Sequence, residues 1–503
     1  ENAKTQLQEY VDSALAPYDD EALQIDVEGV ETEYLAKIDT ATTKDEVVQM
    51  LADAMAAIDL YIKDFEQNQA GNMEITYFGG AMETAFVEWK EVDKATGYNV
   101  YYKEKGASDT AYTKIDDMLI REYPDNYRAD ILGLKAGTYD IKVVAVVDGN
   151  ETNSFGLVQT DVIAHDRSGY GFVNGTSSGA YNDDGTLKSN AVVLYVTENN
   201  KDTISLDVTG ATSSPCVGVQ QIIEGFKKGN DNRPLNIRFI GNISDFAYMN
   251  KGDLLVDGCT NGITIEGVGE DATANGWGLR IKGSSNVEVR NIGFMNCNSS
   301  EGDSIGLQQD NDHIWVHNCD IFYGDAGSDA DQVKGDGALD TKKSTYVTHS
   351  YNHFWDTGKS NLQGMKSESV DNYITYHHNW YDHSDSRHPR IRTCTVHIYN
   401  NYFDGNAKYG VGVTMGSSAF VENNYFRNVK NPMLSSLQGT DALGEGTFSG
   451  EAGGIIKSYG NVIVGGEPVI TYQENNTSFD VYEASSRDEQ IPSSVKTLSG
   501  GTT

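Results

Sequence analysis

Positive charge is in short supply in this chain. Its 38 lysines and arginines face 74 aspartates and glutamates, a formal net charge of −36 over 503 residues. That balance, with a pI near 4.5 and no basic stretch to relieve it, excludes nucleic acid as the natural partner. Acidity by itself names no other partner and first of all means a solvated, soluble surface. No apolar run reaches the length of a membrane span. The five cysteines cannot all pair within one chain, and their positions at 216, 259, 297, 319 and 394 contain no CxxC spacing, so a zinc knot is excluded. They read as buried structural thiols, with a single disulfide as the alternative. Proline is scarce, 8 residues against 52 glycines, as suits many strands joined by open turns.

What is present is a repeat. Hydrophobic strand units begin at Ile314, Val347, Ile374, Val396 and Ala419, spaced 33, 27, 22 and 23 residues apart. Five residues into these units stand Cys319, Asn352, Asn379, Asn401 and Asn424, and two residues later Ile321, Phe354, Tyr381, Phe403 and Phe426. A weaker unit from Val287 carries Ile292 and Phe294, and a later one carries Asn461 and Ile463. A fixed internal order with variable spacing describes a chain wound in coils with loops of different length. The Asn column predicts a ladder that satisfies buried backbone groups. The aromatic column, on the same strand face, predicts a stacked core. A leucine-rich repeat would need a regular leucine lattice, which is missing. The fold expected is a right-handed parallel β-helix.

Asp303 and Asp336 each lie eleven residues before a unit start. On neighbouring coils, equivalent residues stack at roughly 4.8 Å. A calcium ion with oxygen ligands at about 2.3–2.6 Å fits between two such carboxylates. Asp336 and Asp340 are separated by about 13 Å of extended strand, so sharing one ion requires a bend near Gly337. The acidic loop holding Asp325, Asp329 and Asp331 is an alternative calcium site without the EF-hand pattern.

Two other segments precede the repeat. Residues 1–74 predict a helical module, with a strong helix from Lys44 to about Phe65. Thr43 and Glu46 form its capping box, and Val47, Val48, Leu51, Met55, Ile58 and Ile62 form its apolar stripe. Residues 75–165 switch to period two in "TAFVEWKEV", "GYNVYYKEK" and "GTYDIKVVAVV", which predicts an antiparallel β-sandwich with Trp89 in its core. This segment resembles a fibronectin type III module, a spacer or an interaction unit toward carbohydrate or other proteins. The start at Glu1 without methionine reads as a processed or recombinant end, and the terminal "SVKTLSGGTT" carries no closing signal.

From about Asp166 onward, "NGITIEGVGEDATANGWGLRIKGSSNVEVRNIGF", "GDGALDTKKSTYVTHSYNHFWDTGKSNLQGM" and "SRHPRIRTCTVHIYNNYF" resemble the family 1 pectate lyases. The resemblance implies a β-helix that cleaves polygalacturonate by calcium-dependent β-elimination. It makes Glu301, Asp303, Asp336 and Asp340 the metal ligands. Lys359 and Arg392 become substrate-binding residues, and Arg387 the catalytic residue. It also implies an extracellular protein, and a monomer is expected. One departure stands out: the family's tryptophan-hydrophobe-aspartate-histidine run is here Trp315-Val316-His317-Asn318. That change bears on the residues supporting the coil beside the site.

These residues suit the chemistry. Pectate is a polyanion, and elimination must remove the weakly acidic C5 proton beside the C6 carboxylate. A calcium ion there neutralises charge and acidifies that proton. Lys359, Arg387, Arg390 and Arg392 form a local cationic groove in an otherwise negative chain, and arginine's fork suits carboxylates. A guanidinium normally stays protonated, so Arg387 is either a base with a lowered pKa or an electrostatic helper beside another base. Three alternatives remain. A polygalacturonase shares the fold, but here only the triplet Arg280-Ile281-Lys282 matches its motifs. Pectin lyases lack the calcium carboxylates, and a non-catalytic carbohydrate-binding β-helix would not need Arg387.

Overall fold

The computed structural model describes residues 2–18, 21–69, 73–322, 336–437, 448–465 and 481–482. The loop with Asp325, Asp329 and Asp331 lies outside the described residues. The chain divides into two compact units, residues 1–165 and 166–503.

In the first unit, helices α1 (Asn2–Leu15), α2 (Glu21–Thr40) and α3 (Lys44–Gln69) share a core that includes Leu7, Val11, Leu23, Val27, Ala54 and Ile58. The capping box closes α3 as expected. Glu46 N–H donates to Thr43 Oγ1 at 3.2 Å, and Thr43 N–H donates to Glu46 Oε2 at 3.1 Å. Val48 is a correction to the apolar stripe: it is 58% exposed, and Ala54 takes a core place instead. A small residue at the contact lets neighbouring helices approach, so the packed face is narrower than the hydrophobic pattern suggests.

The period-two segments form strands Thr84–Trp89, Gly97–Glu104 and Gly137–Val147 within two four-stranded antiparallel sheets. Trp89 of one sheet is fully buried and meets Tyr98 of the other at 5.2 Å between ring centroids. Tyr139 O–H donates to the Lys135 carbonyl at 3.0 Å, which fastens the corner leading into the last long strand pair.

The second unit is a parallel β-helix. A complete coil has a first, a second and a short third strand, as in Gly278–Lys282, Ser285–Arg290 and Gly293–Met295. In the next two coils the first and second strands merge, giving Asp303–His317 and Gly337–Ser350. Each strand pairs in parallel with its counterpart one coil on, for example Val347 with Ile374 and Phe354 with Tyr381.

Both predicted columns exist. Asn379 Oδ1 accepts from Asn352 N–H and Nδ2 at 3.1 Å each, and Asn401 Oδ1 accepts from Asn379 Nδ2 at 3.0 Å. The ladder runs on through Asn424 to Asn461, and Cys319 N–H joins its other end by donating to Asn352 Oδ1. In the next column Phe354, Tyr381, Phe403 and Phe426 stack at 5.0, 4.9 and 4.3 Å. The five cysteines are free thiols.

The register near Asp303 departs from the repeat. Ile314 pairs with Val347 as predicted, yet Asp303 pairs with Gly337 and not with Asp336. A bulge between Gln308 and Asn311 inserts one extra residue, with Gln309 and Asp310 in the left-handed region at φ 47° and 61°. One residue of slip turns every side chain beyond it to the other face. The expected stacking of Asp303 on Asp336 is therefore corrected.

The altered run Trp315-Val316-His317-Asn318 lies at the opposite end of that strand. His317 is fully buried, stacks on Trp315 at 3.5 Å, and lies 3.0 Å from Glu288 Oε1. Burial, and then the charge of Arg290, hold its pKa well below the usual imidazole range. His317 thus belongs to a buried polar network with Glu288 and Arg290, on the face covered by the chain around Tyr170 and Gly171.

Candidate active site

The first strands of four successive coils carry the predicted site residues. Asp303 opens one, Gly337 the next, Lys359 precedes Leu362–Gln363, and Arg387 precedes Arg390–Arg392. Backbone hydrogen bonds tie these coils together. Leu339 N–H donates to the Ser360 carbonyl at 2.9 Å, and Asn361 N–H donates to the Arg387 carbonyl at 2.7 Å.

Asp303 and Asp340 are brought together, each only 3% exposed. A Cβ added at Gly337 would lie 2.6 Å from Asp303 Oδ1 and 2.6 Å from Asp340 Oδ1, so the two carboxylates converge over this glycine. Lys342 Nζ lies 3.1 Å from Asp303 Oδ2 and 3.7 Å from Asp340 Oδ2. Leu362 N–H also donates to Asp340 Oδ1 at 2.9 Å. Burial, and then the charge of Asp340, push the Asp303 carboxyl well above the ordinary carboxylate range. Asp340 is raised too, chiefly by burial, with Lys342 and Arg387 opposing. The pair resists carrying two negative charges with Lys342 as its near cation. Lys342 was not among the predicted residues, although its position two residues after Asp340 on the same strand was a usable signal.

The other two acids turn elsewhere. Asp336 accepts from Lys359 Nζ at 2.8 Å. Burial opposes its charge, but Lys359 and Arg387 outweigh that and hold its pKa below the ordinary value. Glu301 accepts from Gln308 Nε2 at 2.9 Å and pairs with Arg280 Nη1 at 3.3 Å. Among the described residues, no three of the four predicted ligands bring their oxygens within 4.8 Å of one another. The bend anticipated at Gly337 is not a left-handed turn, because Gly337 has no positive φ and opens a regular strand.

The site nevertheless fits a hard cation. Asp303 Oδ1 is buried and has no hydrogen-bond partner, which is costly unless something else occupies its lone pairs. Two buried carboxylates with raised pKa are relieved by a divalent ion with a preference for oxygen. Two other three-residue groups bring candidate ligands within 4.8 Å, Asp166 with His377 and His378, and Asp382 with His383 and Asp404. They fit less well. His377 Nε2 is buried without the partner that a metal-bound imidazole ordinarily has. Asp404 is already held through both oxygens by Arg427 at 2.8 and 2.5 Å.

Arg387 is half-buried and adopts φ 63°, in the left-handed region. Arg392, expected to bind substrate, is engaged by a carboxylate of the chain. It is 8% exposed, and its Nε donates to Glu451 Oε1 and Oε2 at 3.1 Å each. Arg390 Nη2 reaches the same carboxylate at 3.5 Å.

The pectate lyase family model matches residues 256–473. Pectate lyase 3 of Pectobacterium carotovorum is 30% identical over 262 residues, 47% of this chain and 69% of its own length. The chain belongs to the pectate lyase family. The pectate trisaccharide-lyase of Bacillus licheniformis is 34% identical over 219 residues, and the match spans 43% of this chain and 62% of that relative's length. A solved pectate lyase from Bacillus sp. N165, in complex with trigalacturonate, is 26% identical with a TM-score of 0.47, covering 66% of this chain and 97% of that one. The family match lies entirely in the β-helical unit, which holds every predicted site residue.

Proposed function

We infer that this chain is a calcium-dependent lyase that cleaves polygalacturonate by β-elimination and leaves 4,5-unsaturated oligogalacturonides. The observation that carries this reading is the buried pair Asp303 and Asp340 over Gly337, with Lys359 and the Arg387–Arg392 stretch on the next two coils. The names of the relatives, pectate lyase and pectate trisaccharide-lyase, support the same substrate class.

Asp303 and Asp340 would hold the calcium ion, joined by Asp336 and Glu301 once these leave Lys359 and Arg280. An ion held there would supply charge neutralisation at the uronate carboxylate and a more acidic C5 proton. The chain's own residues do the rest. Lys359, released from Asp336, and Arg392 bind uronate carboxylates. Arg387 is the base: in its neutral form it takes up the C5 proton, the C5–H electron pair forms the C4–C5 double bond, and the C4–oxygen bond breaks, the leaving oxygen taking its proton from water. A guanidinium surrenders its proton only with difficulty, so proton removal by Arg387 requires alkaline conditions. The charge balance is coherent, since an acidic protein meets an acidic polymer where its carboxylates become ligands.

We further read residues 1–74, 75–165 and 166–503 as a helical module, a fibronectin type III-like sandwich and the catalytic β-helix, in an extracellular monomer. No helix among the described residues is long and apolar enough to cross a membrane. Mass spectrometry of polygalacturonate digests tests the reaction. Fragments with an unsaturated non-reducing end are expected, and saturated, water-added fragments alone would replace the lyase with a hydrolase.

A further inference from the structure

The loop from Phe448 to Gly454 sets an internal carboxylate, that of Glu451, on Arg390 and Arg392. Phe448 packs against Tyr409 at 4.6 Å, and the Arg390 guanidinium lies over its ring at 5.3 Å. Beyond Glu451, the backbone is fastened to the coil: Met415 N–H donates to the Ala452 carbonyl at 2.5 Å, and Gly416 N–H to the Gly453 carbonyl at 2.7 Å. Glu451 N–H donates to Ser449 Oγ at 3.1 Å, which completes the turn that aims the side chain. The result is one carboxylate shared by Arg392 and Arg390, with side chains 17%, 9% and 18% exposed respectively.

A guanidinium carries five N–H donors, and a carboxylate that pairs with it occupies part of that set. With Nε committed to both Glu451 oxygens and Nη1 directed at the Gly364 carbonyl at 3.4 Å, the Nε donor of Arg392 is already taken by a carboxylate of the chain itself. We propose that Glu451 is an internal competitor for substrate: its carboxylate takes the place of a uronate carboxylate on Arg392, and polygalacturonate binds by exchanging with it. This rests on the reading of Arg392 as a substrate-binding residue. Such a device sets specificity. A single uronate competes poorly with a tethered carboxylate, whereas a polyanion that also engages Lys359 and the calcium site displaces it. Longer, unesterified oligogalacturonides are therefore favoured over short ones.

The opposite role is a positioning one, in which Glu451 holds Arg392 in the orientation that substrate needs. The two roles predict opposite changes. A binding-competent state populated at about one part in ten weakens apparent affinity about tenfold, and removing the competitor restores it. Glu451→Gln keeps the side chain's size and removes its charge. Its KM for polygalacturonate is expected to fall about tenfold, with kcat changing much less, and trigalacturonate binding by calorimetry in calcium-free buffer should tighten similarly. Glu451→Asp, which keeps the charge, should remain close to wild type.

A raised KM or weaker trigalacturonate binding in Glu451→Gln overturns the proposal in favour of positioning. Loss of folding in both Glu451→Gln and Glu451→Asp overturns it in favour of a structural ion pair. Wild-type protein that makes no unsaturated product at any calcium concentration refutes the lyase reading itself, whatever Glu451→Gln does.

Discussion

Gly337→Ala is the most economical perturbation of the proposed calcium site, because it adds one methyl group where two buried carboxylates meet. The backbone tolerates it, as Gly337 opens a regular strand without a positive φ. The space does not, since the new Cβ would stand 2.6 Å from Asp303 Oδ1 and from Asp340 Oδ1 and Cγ. Both side chains must give way by several tenths of an ångström inside a closely packed coil. Overpacking of this kind costs about 1–3 kcal/mol. In a unit of this size each kcal/mol lowers Tm by about 2–4 °C at most. The larger effect falls on the metal. Wild-type protein in calcium at about a hundred times its Kd gains roughly 2.7 kcal/mol, and a hundredfold loss of affinity cuts that to about 0.4 kcal/mol. The assay is thermal unfolding with and without calcium, beside a calcium titration of activity. Gly337→Ala should lose most of the calcium-induced rise in Tm and need far more calcium to turn over. An unchanged rise in Tm would refute the assignment of Asp303 and Asp340 as a shared cation site.

Other expectations follow from the same geometry. Asp303→Ala and Asp340→Ala should each raise the calcium requirement at least tenfold, while calcium-free folding, followed by circular dichroism, is retained because relief of the buried pair offsets the lost hydrogen bonds. Asn379→Ala removes a ladder rung that accepts from Asn352 and donates to the His349 carbonyl and Asn401 Oδ1; chemical denaturation should show a loss of about 3–5 kcal/mol from several stranded buried groups. Burial lowers the pKa of His349 to about 3 from a usual 6.5, so the unfolded chain takes up the proton more readily. Stability from this group is complete above about pH 6.5 and is lost as pH falls below it, and denaturation midpoints at pH 7.5 and 5 should differ in that direction. Arg387→Lys should reduce kcat severely, with wild-type activity rising into the alkaline range. A flat profile at saturating calcium would leave Arg387 an electrostatic role only.

Much of the β-helical unit was legible in the sequence, because a ladder needs the same side chain at the same place in every coil. Asn352, Asn379, Asn401 and Asn424 announce themselves in that way, and the aromatic column beside them follows from period two. The slip at Gln309 and Asp310 was not legible, since neither is the glycine that usually marks a left-handed backbone. Its consequence was the misplaced stacking of Asp303 on Asp336, where Asp340 is the true neighbour. Lys342 could have been read from its spacing to Asp340. Glu451 could not, because it meets Arg392 across 59 residues with no repeat to connect them. In α3, local periodicity gave Val48 a place in the core beside Ile58, but three-helix packing chose Ala54 with Ile58.

The most direct test of the account is continuous ultraviolet absorbance during incubation with polygalacturonate, with chelator and then excess calcium added in sequence. A 4,5-unsaturated product absorbs where the polymer does not, so absorbance should climb, stop on chelation and resume when calcium is restored. New reducing ends without that chromophore, or a climb indifferent to chelator, would contradict calcium-dependent elimination at Asp303 and Asp340.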